Sequence, residues 1–474
     1  MLQNTDQKAP GFSRGRNDPS LLDQEPLSGY HVASRGQGSN TPGGSEGGPM
    51  LVFEYKMDAA QAQYARMDEA IRSAQFVRNK CLRLWMDTPG TSANDLQVHC
   101  SQLAHDFPFA AQLNSQARQA RSALAWRAIS RFYANCQAKV PGKKDYPCFQ
   151  HNNRSVEYKV TGWKLDPDGR HLTFTDGCDI GRVRLIGTRS IETLPLDQIK
   201  RVRLVRRADG YYVQCCVDAE RHVEHVPTGQ PVGIDLGLRV FSTDSAGKTV
   251  ETPRFLRKAE RRIKRLQRQV SRKYRPERRK QAKQPQSHNY RKARKKLAKA
   301  HLKVQRQRED FARKAASALV SSHDLIAYEA VQIRNLVKNH RLAKSLHDAA
   351  WGRFLLWVGY YVRLHGVPLI AVPPQYTTQA CSGCGTLVQK TLSTRTHVCW
   401  HCGLILDRDE HAARNILALA LVSWRTSPHS PRLLGGSRPY RRAGGNGLGM
   451  TERTLGDMGP LACSERWERV KPGG

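Results

Sequence analysis

Acidic residues are the scarce class in this chain: 41 Asp and Glu stand against 77 Lys and Arg in 474 residues, a formal net charge of +36. A protein with that imbalance meets a polyanion, and nucleic acid is the expected partner. Long apolar runs are missing too. No stretch approaches the roughly 18 apolar residues that a membrane span requires, so the chain is read as soluble, with no membrane partner. The first residues lack the apolar segment and small-residue cleavage site of a secreted protein, which points to a cytoplasmic location. In that compartment the twelve cysteines are expected to be free or metal-bound, not paired in disulfides. Hydrophobic residues make up 39% of the chain, which excludes a wholly disordered protein. The length is enough for about three domains.

Regular patterning begins late and stops early. Residues 1–49 hold nine Gly and five Pro with almost no apolar period, and residues 425–474 hold ten Gly and five Pro, so both are expected to be disordered. Met50 opens the first strand-like stretch and is expected to be the biological start; peptides from Gln3 to Asn40 in the native protein would contradict that. Residues 50–57 and 139–228 read as one β-rich module, with Asp-Gly pairs at Asp168, Asp176 and Asp209 marking tight turns. Helical spacing over 58–138, as in Ala123, Trp126, Ile129, Phe132 and Tyr133, predicts a helical domain inserted into it. Those aromatics fit a helix core better than a base-stacking stripe.

From 229 to 424, strands alternate with helices, the pattern of an α/β domain. Inside it, residues 254–314 carry 26 Lys or Arg against four acids. The segment reads as a basic helical hairpin over 254–318, with its two arms separated at Gln281 to Tyr290. Arg261, Arg262, Lys264, Arg265, Arg268, Arg272 and Lys273 on one arm, with Arg291, Lys292, Arg294, Lys295 and Lys296 on the other, are expected to contact nucleic-acid phosphates.

Two constellations carry chemistry. Cys381, Cys384, Cys399 and Cys402 form C-x2-C, fourteen intervening residues and a second C-x2-C, a spacing that suits one tetrahedral zinc in a ribbon over 378–405. Four thiolates leave no position for water, so the ion would be structural. Asp235 sits mid-strand between Gly233 and Gly237, Glu329 ends the apolar run 325–328, and Asp409 precedes a helix expected over 412–422. Three such acids can hold divalent metal for phosphodiester hydrolysis. Taken singly, Asp409 reads equally as a helix N-cap and Glu329 as a strand terminus. Asp407 is placed on the outer edge of the ribbon.

In order and context these motifs resemble the RuvC-like nuclease domain of TnpB proteins, which are encoded by insertion sequences and related to compact type V CRISPR effectors. The resemblance rests on Gly233 to Leu238 (GIDLGL), Tyr328-Glu329-Ala330, Val337 to Trp351, Tyr376 to Gly385, the four cysteines and Asp407 to Leu417 (DRDEHAARNIL). It extends upstream to Trp126, Phe132-Tyr133, Tyr146-Pro147 and Gly210 to Val213. It implies an α/β, RNase H-like fold with an inserted four-cysteine zinc ribbon, preceded by an antiparallel β module that carries a helical domain. It also implies magnesium or manganese at Asp235, Glu329 and Asp409, and one zinc at the cysteines. The implied partners are a guide RNA and double-stranded DNA cleaved beside a short flanking motif, with no small-molecule substrate. The departure is His411, where the family usually has Asn. If that residue orients Asp409, the chain could be a cleavage-impaired RNA-guided DNA-binding protein; a guide-free transposase or nuclease is the other alternative.

Overall fold

The computed structural model describes residues 50–426 apart from 141, 143, 188–195, 219–221, 276–284 and 392. The expected leader, and the tail beyond 426, lie outside the described residues.

Strand β1 (Met50–Asp58) leads into α1 (Gln61–Asp87), α2 (Ala93–Asp106), α3 (Pro108–Ala111) and α4 (Ser115–Gln137). Capping starts two of these helices. Ser92 and Asp95 exchange side-chain and backbone hydrogen bonds at α2, and the Asn114 side chain accepts from Gln116 and Ala117 at α4. The helices close on Val77, Leu82, Leu96, Leu103 and Ile129, with Trp126 packed against that cluster. The chain then forms β2 (Ser155–Tyr158), β3 (Trp163–Leu165), β4 (His171–Phe174), β5 (Gly181–Ile186), β6 (Ile199–Arg207) and β7 (Gly210–Asp218). In the antiparallel order β2-β6-β7-β1-β5-β4-β3, β1 is the middle strand, so four helices are spliced between it and the neighbours it pairs with.

A second sheet follows. Strands β8 (Pro231–Leu236), β9 (Val240–Asp244) and β10 (Thr249–Glu251) form an antiparallel meander. After the hairpin of α5 (Phe255–Lys273) and α6 (His288–Ser321), β11 (Leu325–Glu329) lies parallel to β8. Helices α7 (Ile333–Leu336), α8 (His340–Ala349) and α9 (Trp351–His365) then lead to β12 (Leu369–Val372), parallel to β11. The small hairpin of β13 (Thr396–Val398) and β14 (Ile405–Asp407) precedes α10 (Arg408–Thr426). In the sheet order β10-β9-β8-β11-β12, one face packs Val232, Ile234 and Ile326 against Ala316, Trp357 and Val358 of α6 and α9. The other packs Leu325, Ala327 and Val372 against Ile416, Ala420 and Trp424 of α10. Helices on both faces of a mixed sheet make this an α/β fold.

Two boundaries differ from the sequence reading. Helix α10 begins at Arg408, not Ala412, because the Asp407 carboxylate accepts the N–H groups of Asp409 (2.8 Å) and Glu410 (3.3 Å) and so caps a turn earlier. Helix α6 begins at His288, where the Ser287 hydroxyl accepts from Tyr290 N–H, so Tyr290 is helical and not part of the loop. Helix α5 gets no cap from Arg254. Instead the buried Asp348 carboxylate accepts the N–H groups of Leu256 (2.8 Å) and Arg257 (3.1 Å), and Arg308 donates to the same group. Asp348 thereby pins the base of the basic hairpin to α8.

Strand β8 and helix α10 touch backbone to backbone at Gly233. A Cβ there would lie 2.2 Å from the Ala413 carbonyl oxygen and 2.7 Å from the Leu417 nitrogen, so only glycine lets the helix seat. Gly233→Ala is expected to cost about 1–3 kcal/mol by overpacking, read as a lower denaturant midpoint. A parent-like midpoint would mean that the helix does not bear on this strand.

Candidate active site

The seat at Gly233 also positions the acids. Strand side chains alternate, so Asp235 shares the α10 face of β8 with Gly233. Two strand residues advance about 6.6 Å, and the four helix residues from Ala413 back to Asp409 advance about 6 Å, so Asp409 comes alongside Asp235. Strand β11 runs parallel to β8 with Ala327 opposite Gly233 and Tyr328 opposite Ile234, and one step further Glu329 comes level with Asp235. Glu329 shares a face with Leu325 and Ala327, the face that α10 covers. Three acids from three elements thus line one surface.

Their electrostatics bear the marks of that crowding. Burial first, then the charges of Asp409 and Glu329, push the Asp235 carboxyl up to about 7, while Arg408 works the other way. Burial raises Glu329, partly offset by the Thr377 hydroxyl, which donates to its Oε1 (2.8 Å). Arg408 donates to Asp409 Oδ1 through Nε (3.1 Å) and Nη2 (3.0 Å), and Arg395 stands 3.9 Å from the same oxygen. Since Asp407 does the capping, Asp409 is left to face the sheet. The four cysteine sulfurs all lie within 4.8 Å of one another, a spacing that the three carboxylates do not reach.

Sequence reasoning missed two residues that hold this surface. Thr377 is buried and ties Glu329 to the loop after β12, and Asn415 donates from Nδ2 to the carbonyls of Thr377 (2.8 Å) and Ala380 (2.7 Å). Asn415 stands in the quoted DRDEHAARNIL stretch, but its polarity in a helix gave no hint of a loop to clamp.

In the cysteine ribbon, Sγ of Cys381 lies 3.6 Å from that of Cys402, and Cys384 is equally far from Cys399. Bonds of 2.3 Å to a tetrahedral zinc would set the sulfurs about 3.8 Å apart, so the donor set fits that ion. Gly385 and Gly403 take φ of +78° and +74° at the two knuckles.

His411 occupies a different place from the one the resemblance suggested. Residues 409 and 411 project about 200° apart around a helix, so a residue two positions on faces away from Asp409. The ring is buried, its Nε2 accepts the Ser382 N–H (3.0 Å), and its face stacks on His397 with centroids 3.7 Å apart. Burial, then His397 and the cations Lys390 and Arg414, lowers its pKa to about 4. The ring is therefore neutral at mildly acid pH, with its one proton on Nδ1, and carries no positive charge to compete for Asp409.

The hairpin residues singled out in the sequence are all exposed, from Arg261, Arg262, Lys264, Arg265, Arg268, Arg272 and Lys273 on α5 to Arg291, Lys292, Arg294, Lys295 and Lys296 on α6. The apolar stripe of Ile263, Leu266, Leu297, Ala300 and Val304 closes the hairpin on itself and leaves the charge outside. Phe132 and Tyr133 form a partly exposed ring cluster with Trp85 and Tyr146.

The raised Asp235 pKa carries a sign. A carboxyl that titrates higher folded than unfolded favours the fold fully below about pH 4 and loses that contribution as pH climbs to about 7. Without added divalent cation, Asp235→Asn is expected to be more stable than the parent at pH 7.5, by up to roughly 4 kcal/mol at 1.36 kcal/mol per pKa unit. The gap should close near pH 4.5. An equal gap at both pH values would mean that burial and neighbouring charge do not raise Asp235.

Against known proteins, the "Probable transposase" model OrfB_IS605 matches residues 214–340, and the Cas12f1-like TNB domain model matches residues 351–416. A Streptomyces pristinaespiralis protein named as a candidate RNA-guided DNA endonuclease is 34% identical over 198 residues, 41% of this chain and 46% of that protein. The Escherichia coli K12 protein InsQ, named in the same way, is 25% identical over 307 residues, 61% of this chain and 71% of that one. The mimivirus TnpB-like protein L79 is 28% identical over 134 residues, 27% of this chain and 26% of its own. Among solved structures, a Cas12f1–sgRNA–target DNA complex aligns at 14% identity with a TM-score of 0.46, over 75% of this chain and 83% of that chain. The TnpB resemblance of the motifs thus coincides with the OrfB_IS605 match over residues 214–340 and the Cas12f1-like TNB match over residues 351–416, and the chain spans about half the length of the Streptomyces relative.

Proposed function

We propose that this protein is an RNA-guided, divalent-metal-dependent DNA endonuclease of a transposable element, which hydrolyses phosphodiester bonds in target DNA beside a short flanking motif. The observation that carries the reading is the convergence of Asp235, Glu329 and Asp409 on the α10 face of one sheet, with Asp235 driven to about 7 by burial and by the other two. A buried set of like charges is costly unless a cation offsets it, and hard carboxylate oxygens suit magnesium or manganese. The strand order β10-β9-β8-β11-β12, an antiparallel meander followed by two parallel strands, supports an RNase H-like reading. The names of the Streptomyces and E. coli relatives point to the same activity.

On this reading Asp235, Glu329 and Asp409 would hold the divalent metal. When bound, it would activate a water and offset charge on the leaving oxygen. The protein's own part is orientation. Thr377 fixes Glu329 through Oε1, Arg408 fixes Asp409 through Oδ1, and the Asp407 cap sets the helix that presents Asp409. Cys381, Cys384, Cys399 and Cys402 would hold one structural zinc, keeping in shape the ribbon on which Ser382 and Ala380 meet α10. The exposed cations of α5 and α6 would track the guide RNA or the RNA–DNA duplex by shape and charge. Because His411 bonds to Ser382, its difference from Asn gives no reason to expect impaired cleavage.

Alanine at Asp235, Glu329 or Asp409 is expected to lower magnesium-dependent cleavage of guide-matched DNA by at least 100-fold while RNA binding stays near parental. Cleavage by the Glu329 variant within tenfold of the parent would take that residue out of the site. Elemental analysis is expected to find one zinc per chain, lost in Cys384→Ser together with activity; full activity with no zinc would refute the ribbon assignment. Removing Arg261, Arg262, Lys264 and Arg265 together should weaken RNA binding and flatten its salt dependence. A changed flanking-motif preference instead would place the hairpin at the DNA end.

A further inference from the structure

The loop that carries Thr377 holds an aromatic residue in a conformation that suits glycine. Tyr376 has φ +62°, in the left-handed region that bulky side chains rarely enter. The turn is fixed from both sides. The Tyr376 carbonyl accepts the N–H groups of Gln379 (3.0 Å) and Ala380 (2.9 Å). The next residue, Thr377, is buried, with its hydroxyl on Glu329 (2.8 Å) and its carbonyl held by Asn415 (2.8 Å). Pro373 and Pro374 stiffen the approach. The backbone strain thus serves the placement of Glu329. It does not explain the ring, because glycine would take the same φ without strain.

Yet the chain keeps a tyrosine and leaves it 60% exposed. Among the described residues no other ring stacks on it. This exposed ring belongs to the residue just before Thr377, whose hydroxyl touches Glu329, so it stands close in the chain to the carboxylates that an entering strand would meet. An unpaired nucleobase fits that face whatever its identity, since every base has a π-face.

We propose that Tyr376 stacks against the nucleobase of the nucleotide beside the scissile phosphate, holding single-stranded DNA on the carboxylate surface. This rests on the nuclease reading above and adds the residue that grips the strand. The interaction belongs to the ring and not to the hydroxyl, so it tolerates phenylalanine and any base.

The test uses the full chain with its copurified RNA and a matched DNA whose cut position has been mapped on the parent. A 2-aminopurine beside the cut, in calcium in place of magnesium, reports stacking as quenched fluorescence without turnover. The parent and Tyr376→Phe should quench alike. Tyr376→Gly and Tyr376→Asn, two residues that accept positive φ, should lose the quench and raise KM for DNA by roughly 5- to 150-fold, the range of one base–aromatic stack. Tyr376→Gly should melt at or above the parent, which separates loss of the ring from loss of the fold; if it melts lower, the Asn variant decides. Parental quenching and KM in the Gly or Asn variant would overturn the proposal, as would a Phe variant that behaves like Gly. Absence of Asp235-dependent cleavage in the parent would instead overturn the nuclease reading.

Discussion

Everything about the acid surface depends on one close contact, the passage of α10 over Gly233. The contact is between main chains, so it has almost no tolerance. The Ala413 carbonyl lies where any Cβ would sit. Seated there, the helix puts Asp409 one turn from the contact point, while Asp235 lies two residues along the strand. The near match of those two advances brings a helix carboxylate beside a strand carboxylate. The parallel register of β11 adds Glu329 without further adjustment.

Helix α10 then works as a two-sided element. Ala413 and Asp409 face the sheet, whereas His411 and Asn415 face the cysteine ribbon and its entry loop, accepting from Ser382 and donating to Thr377 and Ala380. Thr377 returns to the sheet by bonding Glu329. Ribbon, helix and central strands are therefore joined in a closed circuit of short hydrogen bonds. The burial of Asp235, together with the charges of Asp409 and Glu329 that this arrangement brings to it, disfavours the ionised site in the folded protein, and the raised Asp235 pKa reflects both. Such a perturbed carboxyl at one point of an otherwise well-packed domain marks a candidate functional surface.

How much of this could be read from residues alone follows from what kind of interaction each part uses. The C-x2-C pairs and the basic run were legible because they depend on residue type and local spacing. Asp235 and Glu329 were legible as acids in and at the end of apolar strands, and Asp409 as an acid ahead of a helix. That β1 joins the later strands was legible too, but not that it pairs with β5 and β7, since pairing between segments this far apart is set by the whole sheet. Gly233 was visible as a glycine beside an acid, but its partner in α10 was not. His411 was misplaced because a motif read as a string ignores the turn of the helix: neighbours two apart point to opposite sides. Thr377 and Asn415 left no signal, being ordinary polar residues whose roles exist only once the loop has folded onto the helix.

The central claim is that the surface shared by β8, β11 and α10 is where a divalent metal sits. Iron can be exchanged for magnesium in the full chain bound to its RNA, and the protein backbone scission caused by ascorbate and peroxide can then be mapped by mass spectrometry, since radicals formed at the ion cut the chain close by. The account predicts cuts clustered near Asp235, Glu329 and Asp409, suppressed by excess magnesium and absent in Asp235→Asn. Magnesium-sensitive cuts confined to other segments would contradict it.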